Sequence, residues 1–290
     1  MRASAFAAAK VNLFLHVGAV QADGFHPVCS LMAFADVGDR LRLEPGLGLG
    51  LEGPFASGLA GLDASDNLVL RAAEALGGAP GRLMLEKALP VASGLGGGSA
   101  DAGAALRLVR SARGLDIDDA ALEAVSAALG SDGPACLWGR PVVAEGRGER
   151  LSPAPRLPAL PAVLVNPGVA CPTGAVYRRF DAVAPGPGAD RPALPAAFDT
   201  AEAVAEVMAG LRNDLEAPAA ALVPEVGLVL ERLRARPEVL LARLSGSGAS
   251  CFALCADGEA AARLAAAISQ AEPGWWVRPC RLGGPWPDEP

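Results

Sequence analysis

The 290-residue sequence holds one tyrosine, two histidines and two lysines, and aromatic residues make up only 4% of it. So little histidine leaves no basis for a histidine-built metal cage. Six cysteines, at 29, 136, 171, 251, 255 and 280, include no CxxC pair and have no adjacent histidine to complete a zinc set. They read as reduced, buried small residues. A basic excess is missing too: the formal charge is −7 and the pI is near 5.0, which argues against nucleic acid or an anionic membrane as the main partner. Long apolar runs are also lacking. The longest uncharged stretch, residues 157–177, carries Pro158, Pro161, Pro167 and Pro172, so it cannot cross a membrane as one regular helix. The first residues reach Lys10 and Asn12 too soon for a signal peptide. A soluble cytoplasmic chain acting on a small ligand is expected, with no nucleic-acid, membrane or obligate protein partner.

What the sequence has in abundance is glycine, 35 residues of it, and residues 90–113 concentrate its use. Gly94, Gly96, Gly97 and Gly98 precede Ser99, and a helical pattern starts where they stop: Ala102, Ala105, Leu106 and Val109 mark one buried face. Residues without side chains let backbone N–H groups close on an anion, and the first turn of a helix adds partial positive charge. The stretch reads as a phosphate cradle, with a plain turn as the bland alternative. It is neither a P-loop, since no GK[ST] follows, nor a Rossmann fingerprint, since Ser99 stands where a third glycine is needed. Gly48, Gly50 and Gly53 do fit GxGxxG, but Pro54 follows and no helix comes after, so that segment is read as a strand.

Around the cradle, residues 3–9, 11–17 and 28–35 read as strands, with Lys10 and Asn12 on one face, either as a site or as solvated polar residues of an edge strand. Phe25 and His26 sit at a loop edge after the turn at Asp23 and Gly24. Asn67 caps a helix to Leu76, with contact to a ligand as its second reading. Residues 82–88 form the strand leading into the cradle. Further helices are expected over 118–129, from Asp132 onward, over 173–180, from Asn213 through 234, and over 259–268. Asp132 is either an N-cap before Pro134 or a free carboxylate. Residues 138–144, 162–166, 251–255 and 275–278 read as strands, and 182–197 as a surface loop. The Ser245, Gly246, Ser247, Gly248 turn is a second candidate anion nest. Of the 25 basic residues only Lys10 and Lys87 are lysine, which hints at a need for a compact ammonium.

The ordered set Lys10 to Leu13, Asp23 to His26, Pro90 to Asp101, Gly130 to Asp132, Asn213 to Glu216 and Ser245 to Gly248 resembles the GHMP kinase superfamily. Within it, the set is similar to the branch that phosphorylates the 2-hydroxyl of a cytidyl-diphosphate-linked methylerythritol in isoprenoid precursor synthesis. The resemblance implies a two-domain α+β fold. Residues 1–155 would be the N-terminal ATP-binding domain, β-α-β in type with a glycine-rich phosphate loop, and residues 156–290 a ferredoxin-like C-terminal domain. It implies Lys10 and Asp132 as the catalytic pair. Pro90, Val91, Ala92, Ser93, Gly94, Leu95, Gly96, Gly97, Gly98, Ser99 and Ala100 would bind ATP, with Asn67 in the adenine pocket. Phe25 and Tyr177 would sandwich cytosine, His26 would hydrogen-bond it, and Asn12 and Thr173 would contact the substrate. ATP and magnesium are the implied cofactors, with no protein ligand for magnesium evident. Three positions depart from the pattern: Phe25 stands for a tyrosine, Ala100 for a serine, and Gly133 for an apolar residue. The alternatives are a GHMP kinase for mevalonate, a sugar or homoserine, which would have no use for the aromatic set, and a non-catalytic nucleotide sensor, which would be expected to lack Lys10 or Asp132.

Overall fold

The structure, a computed structural model, describes residues 4–61, 63, 66–183 and 188–288. Two long strands run through it. β1 (Ser4–Val17) and β2 (Val28–Glu44) pair antiparallel. Every residue of β1 after Ser4 is buried, because its apolar residues face helices on one side and strands on the other. β2 then serves as the hub. It bonds β4 (Arg82–Glu86) and β5 (Val142–Gly146), and at Ala35 and Phe34 it bonds the last strand, β10 (Trp276–Gly283). β3 (Leu49–Glu52) adds to β4 in parallel, and β6 (Arg150–Pro153) adds to β5. From β10 the sheet continues through β7 (Leu160–Asn166) and β9 (Cys251–Cys255) to β8 (Val239–Leu244). One mixed ten-stranded sheet results, and it runs across residue 155 without a break.

Helices cluster by sequence half. α1 (Leu68–Ala75), α2 (Gly97–Arg113), α3 (Asp119–Leu129) and the short α4 (Gly133–Trp138) pack on the first half of the sheet. The face predicted for α2, Ala102, Ala105, Leu106 and Val109, lies in the core, and Ala100, Asp101, Gly103, Ala104 and Leu108 are buried as well. α5 (Thr173–Ala182), α7 (Glu216–Leu222), α8 (Pro224–Arg234) and α9 (Gly258–Ala271) cover the second half. α6 (Ala201–Ala209) closes a third core between them, over the middle of β1, β7 and β9. Segregated helices on a mixed, largely antiparallel sheet make this an α+β fold.

Several expectations need correction. The strand expected over 138–144 starts at Val142, because Trp138 ends α4 and Gly139, at φ 57°, turns the chain. The single helix expected after Asn213 is two: Pro224 has no N–H and holds Val223 at φ −131°, ψ 88°, outside helical space. β2 and β10 run well past the expected 28–35 and 275–278, since long-range pairing sustains them. α6 and β6 were not anticipated, although Ala201, Val204, Ala205 and Met208 repeat the spacing used for α2. Residue 3 of the first expected strand and residues 184–187 of the expected 182–197 loop lie outside the described residues.

Candidate active site

β1 reaches the site through two irregularities in its pairing with β2, one between Ala8 and Lys10 and one between Asn12 and Phe14. Such bulges re-aim the side chains they flank. Lys10 and Asn12 share a face as the alternation predicts, but they are not solvated: Lys10 is 4% exposed and Asn12 2%. The edge of β1 opposite β2 is covered by other segments, with Lys10 N–H donating to the Leu95 carbonyl (2.8 Å) and Leu15 N–H to that of Arg212 (2.9 Å). Lys10 Nζ donates to Asn12 Oδ1 (2.7 Å). Asn12 Nδ2 in turn donates to Ser30 Oγ (2.8 Å), which donates to the Phe14 carbonyl (2.6 Å). This chain of bonds fixes the ammonium.

Asp132 Oδ2 stands 3.3 Å from Lys10 Nζ, its side chain 35% exposed. Asp132 occupies the N-cap position of α4, yet its side chain makes no capping bond and its backbone is helical (φ −78°, ψ −7°). The carboxylate therefore faces the lysine and the opening rather than the helix end. A buried ammonium beside a partly exposed carboxylate leaves the carboxylate room to meet a third atom.

The glycine loop lies over this pair. A Cβ at Gly96 would lie 3.1 Å from both Cβ and Cε of Lys10, so only glycine lets the loop approach so closely. Gly94, at φ 79°, is tighter: a Cβ there would lie 2.4 Å from the Ser245 carbonyl oxygen and 2.8 Å from that of Gly248. The two glycine turns thus interlock. Ser245 Oγ donates to the Gly94 carbonyl (3.0 Å), Ser250 N–H donates to that of Ser93 (2.9 Å), and Asn213 Nδ2 donates to the carbonyls of Leu244 and Gly246 (both 2.9 Å). The Ser245 to Gly248 turn, read from sequence as a nest or a plain turn, braces the first loop. Beyond that loop α2 begins at Gly97, and its first-turn N–H groups and macrodipole favour negative charge.

A cleft of about 900 Å³ has Lys10, Asn12, Asp132, Gly94, Gly96 and Gly246 on its wall. Asn67, Leu68, residues 90–94 and residues 96–99 also line it, as do Phe25, His26, Thr173 and Tyr177. Leu95 and Ala100 of the expected loop are buried behind it. Asn67 caps α1, its Oδ1 accepting from Val69 N–H (2.9 Å) and Leu70 N–H (3.4 Å), while still lining the cleft. Thr173 Oγ1 is 2.8 Å from Ser247 Oγ. His26 Nδ1 donates to the Gly18 carbonyl (2.9 Å), and its Nε2 is 3.4 Å from Asp181 Oδ1. The Tyr177 ring packs on His26, 4.9 Å between centroids, and burial followed by the charge of Asp132 pushes its hydroxyl up to about 12, so it stays neutral. Phe25 is 48% exposed, and its ring face carries the Arg147 guanidinium at 4.1 Å. Arg147 also pairs with Asp23. Sequence reasoning missed Arg147 and Ser30, since neither belongs to a local motif and only the β1–β2 and β2–β5 pairings bring them in.

The cleft offers no protein cage for magnesium. Among the described residues no group of three or more His, Cys, Asp or Glu side chains converges, and Asp39 and Asp101, near the loop, both bond Lys87. A magnesium ion brought by a nucleotide would keep phosphate oxygens and water as ligands, its usual habit.

Residues 67–140 match the GHMP kinases N terminal domain and residues 193–274 the GHMP kinases C terminal. The 4-diphosphocytidyl-2-C-methyl-D-erythritol kinase of Caulobacter sp. (strain K31) is 57% identical, over 99% of this chain and 100% of its own. A crystal structure of a 4-(cytidine 5'-diphospho)-2C-methyl-D-erythritol kinase superposes with a TM-score of 0.74 at 37% identity, covering 98% of this chain and 100% of that one. Homoserine kinase from Cytophaga hutchinsonii shares the fold, with a TM-score of 0.66 at 22% identity over 98% of this chain and 96% of its own. With near-complete coverage at such identity, the chain belongs to the 4-diphosphocytidyl-2-C-methyl-D-erythritol kinase family of the GHMP kinases.

Proposed function

We propose that the protein transfers the γ-phosphoryl group of ATP to the 2-hydroxyl of 4-diphosphocytidyl-2-C-methyl-D-erythritol, in the non-mevalonate route to isoprenoid precursors. The single observation that carries the reading is the Lys10–Asp132 pair, 3.3 Å apart, in a cleft lined by both the glycine-rich loop and the aromatic residues Phe25 and Tyr177. The acceptor oxygen forms the new bond to phosphorus, the bond to the bridging oxygen breaks, and ADP leaves. Asp132 takes the hydroxyl proton. Lys10, held by Asn12, pairs with that carboxylate and orients the hydroxyl. Backbone N–H groups of the loop after Pro90 and of the start of α2 hold the phosphates, since phosphoryl transfer asks the protein mainly for alignment and charge stabilisation. Adenine lies toward Asn67 and Leu68. Cytosine lies between Phe25 and Tyr177 with His26 at its edge, and Asn12 and Thr173 contact the substrate. Phe25 stacks as a tyrosine would, without the hydroxyl.

Phosphorus NMR of the purified protein with magnesium-ATP and this substrate tests the reading. A new phosphomonoester signal together with ADP is the expected result. If ATP is untouched with this substrate but consumed with homoserine, mevalonate or a sugar, the acceptor assignment is wrong.

A further inference from the structure

Both lysines of this arginine-rich chain are buried, both line the cleft, and each abuts a glycine of the loop. Lys10 packs against Gly96. Lys87 packs against the next residue, where a Cβ on Gly97 would lie 3.4 Å from its Nζ and 3.6 Å from Asp39 Oδ2. The Lys10 contact belongs to the chemistry above, whereas nothing above uses the Lys87 contact.

Lys87 Nζ bonds two carboxylates, Asp39 Oδ2 and Asp101 Oδ2, the latter at 2.9 Å. Asp39, on β2, is fully buried, and its other oxygen accepts from the N–H groups of Ala88 (2.7 Å) and Leu89 (2.9 Å), where the chain enters the loop. Asp101 is the fifth residue of α2, where the chain leaves the loop. One ammonium therefore ties the loop's entry, its exit and the central strand. An arginine is not an equivalent substitute, since a planar guanidinium is bulkier than a compact ammonium and presents its donors in a fixed fork. The cluster holds two carboxylates to one ammonium. Burial, offset by Lys87, pushes the Asp101 carboxyl up to about 8, while Lys87, pulled down by burial, is raised on balance by Asp101 and Asp39. Asp101 Oδ1 is buried with no hydrogen-bond partner, so the cluster is not a saturated structural network.

We propose that Lys87, Asp39 and Asp101 are positioning residues for the phosphate loop: their shared ammonium sets the spacing between residues 88–89 and the first turn of α2, and so aims the loop's N–H groups at the nucleotide's phosphates. The inference rests on reading residues 90–100 as the ATP loop, but not on the identity of the acceptor.

Its test is a titration of the full chain with magnesium-ATP, and separately with the cytidyl substrate. Lys87→Met is expected to weaken ATP at least tenfold and leave the cytidyl substrate within twofold. Equal weakening of both, or unchanged ATP affinity, overturns the proposal. Because Lys87→Met leaves buried carboxylates unpaired and can fail to fold, the triple variant Asp39→Asn, Lys87→Met, Asp101→Asn is run beside it. That variant carries no charge, and it is expected to regain thermal stability while ATP affinity stays low. If ATP affinity returns along with stability, the cluster only balances charge, and the proposal fails. A wild-type chain that binds ATP but leaves the cytidyl substrate unphosphorylated fails the acceptor assignment alone, while the ATP comparison still decides this one.

Discussion

Asp132 is the residue at which a local reading and a tertiary one diverge. Its position before Pro134 reads equally as a cap, yet its carboxylate makes no capping bond and sits beside Lys10. Asp132→Asn keeps shape and removes the proton acceptor, so turnover is expected to fall by about 10²–10⁴-fold, with ATP affinity within twofold of wild type. Steady-state rates and a nucleotide titration check this. Loss of both in proportion would mean that the aspartate merely shapes the helix end. Asp101 makes a different prediction, about stability. Its carboxyl, at 3.8 in the unfolded chain, rises on folding toward about 8, chiefly through burial. Between those values the folded chain holds a proton that the unfolded chain has released, so this group makes the fold less stable as pH rises through that window. Denaturant midpoints at pH 5 and pH 8 are expected to differ more for wild type than for Asp101→Asn. A slope unchanged by the substitution would place the ionisation elsewhere.

At the scale of elements, the site depends on two glycine turns packed backbone to backbone. Gly94→Ala would put a Cβ 2.4 Å from the Ser245 carbonyl oxygen at a φ of 79°, so the loops must part. A displacement of about 1 Å at a positioning element can lower kcat/KM about 10²-fold, which steady-state kinetics with ATP varied would detect. Gly258→Ala, at a helix start with open space around the added carbon, is the control expected to change nothing. α1 supplies a separable case. Asn67→Ala removes the cap on α1 and is expected to lower stability by about 1 kcal/mol. Asn67→Asp keeps the capping oxygen, so its melting temperature should stay near wild type. Its KM for ATP should still rise several-fold if the amide faces adenine. α2 shows how far local pattern suffices: four apolar residues and a glycine run placed a helix and its buried face correctly. α8 shows that apolar period alone is not enough: the break at Val223 is set by its neighbour Pro224, a local signal that outweighs an otherwise helical run.

Across the whole molecule, β1 holds the two halves of the chain to one another. Arg243 on β8 is buried and donates to three carbonyls, Leu13 on β1 (2.6 Å), Met208 in α6 (2.8 Å) and Leu211 just after it (2.7 Å). Burial lowers its pKa from the usual arginine value, but not its hydrogen-bonding role. Arg243→Met would leave those carbonyls unpaired, and a loss of roughly 3 kcal/mol is expected. Calorimetry should then read a melting temperature lower by about 6–12 °C. A drop of under about 2 °C would show that the three carbonyls find other donors.

The sequence by itself determined the pieces that need only neighbouring residues: the loop of Gly94 to Gly98 feeding α2, the cap at Asn67, the shared face of Lys10 and Asn12, and the turn at Ser245 to Gly248. These follow from backbone freedom and side-chain period, which act over a few residues. Only the tertiary structure decided which of those pieces meet. Lys10 and Asp132 are far apart in the chain, as are Lys87 and Asp39, Gly94 and Ser245, and Phe25 and Arg147. Their contacts are set by strand register and by the close packing of glycine turns, and no local periodicity encodes either.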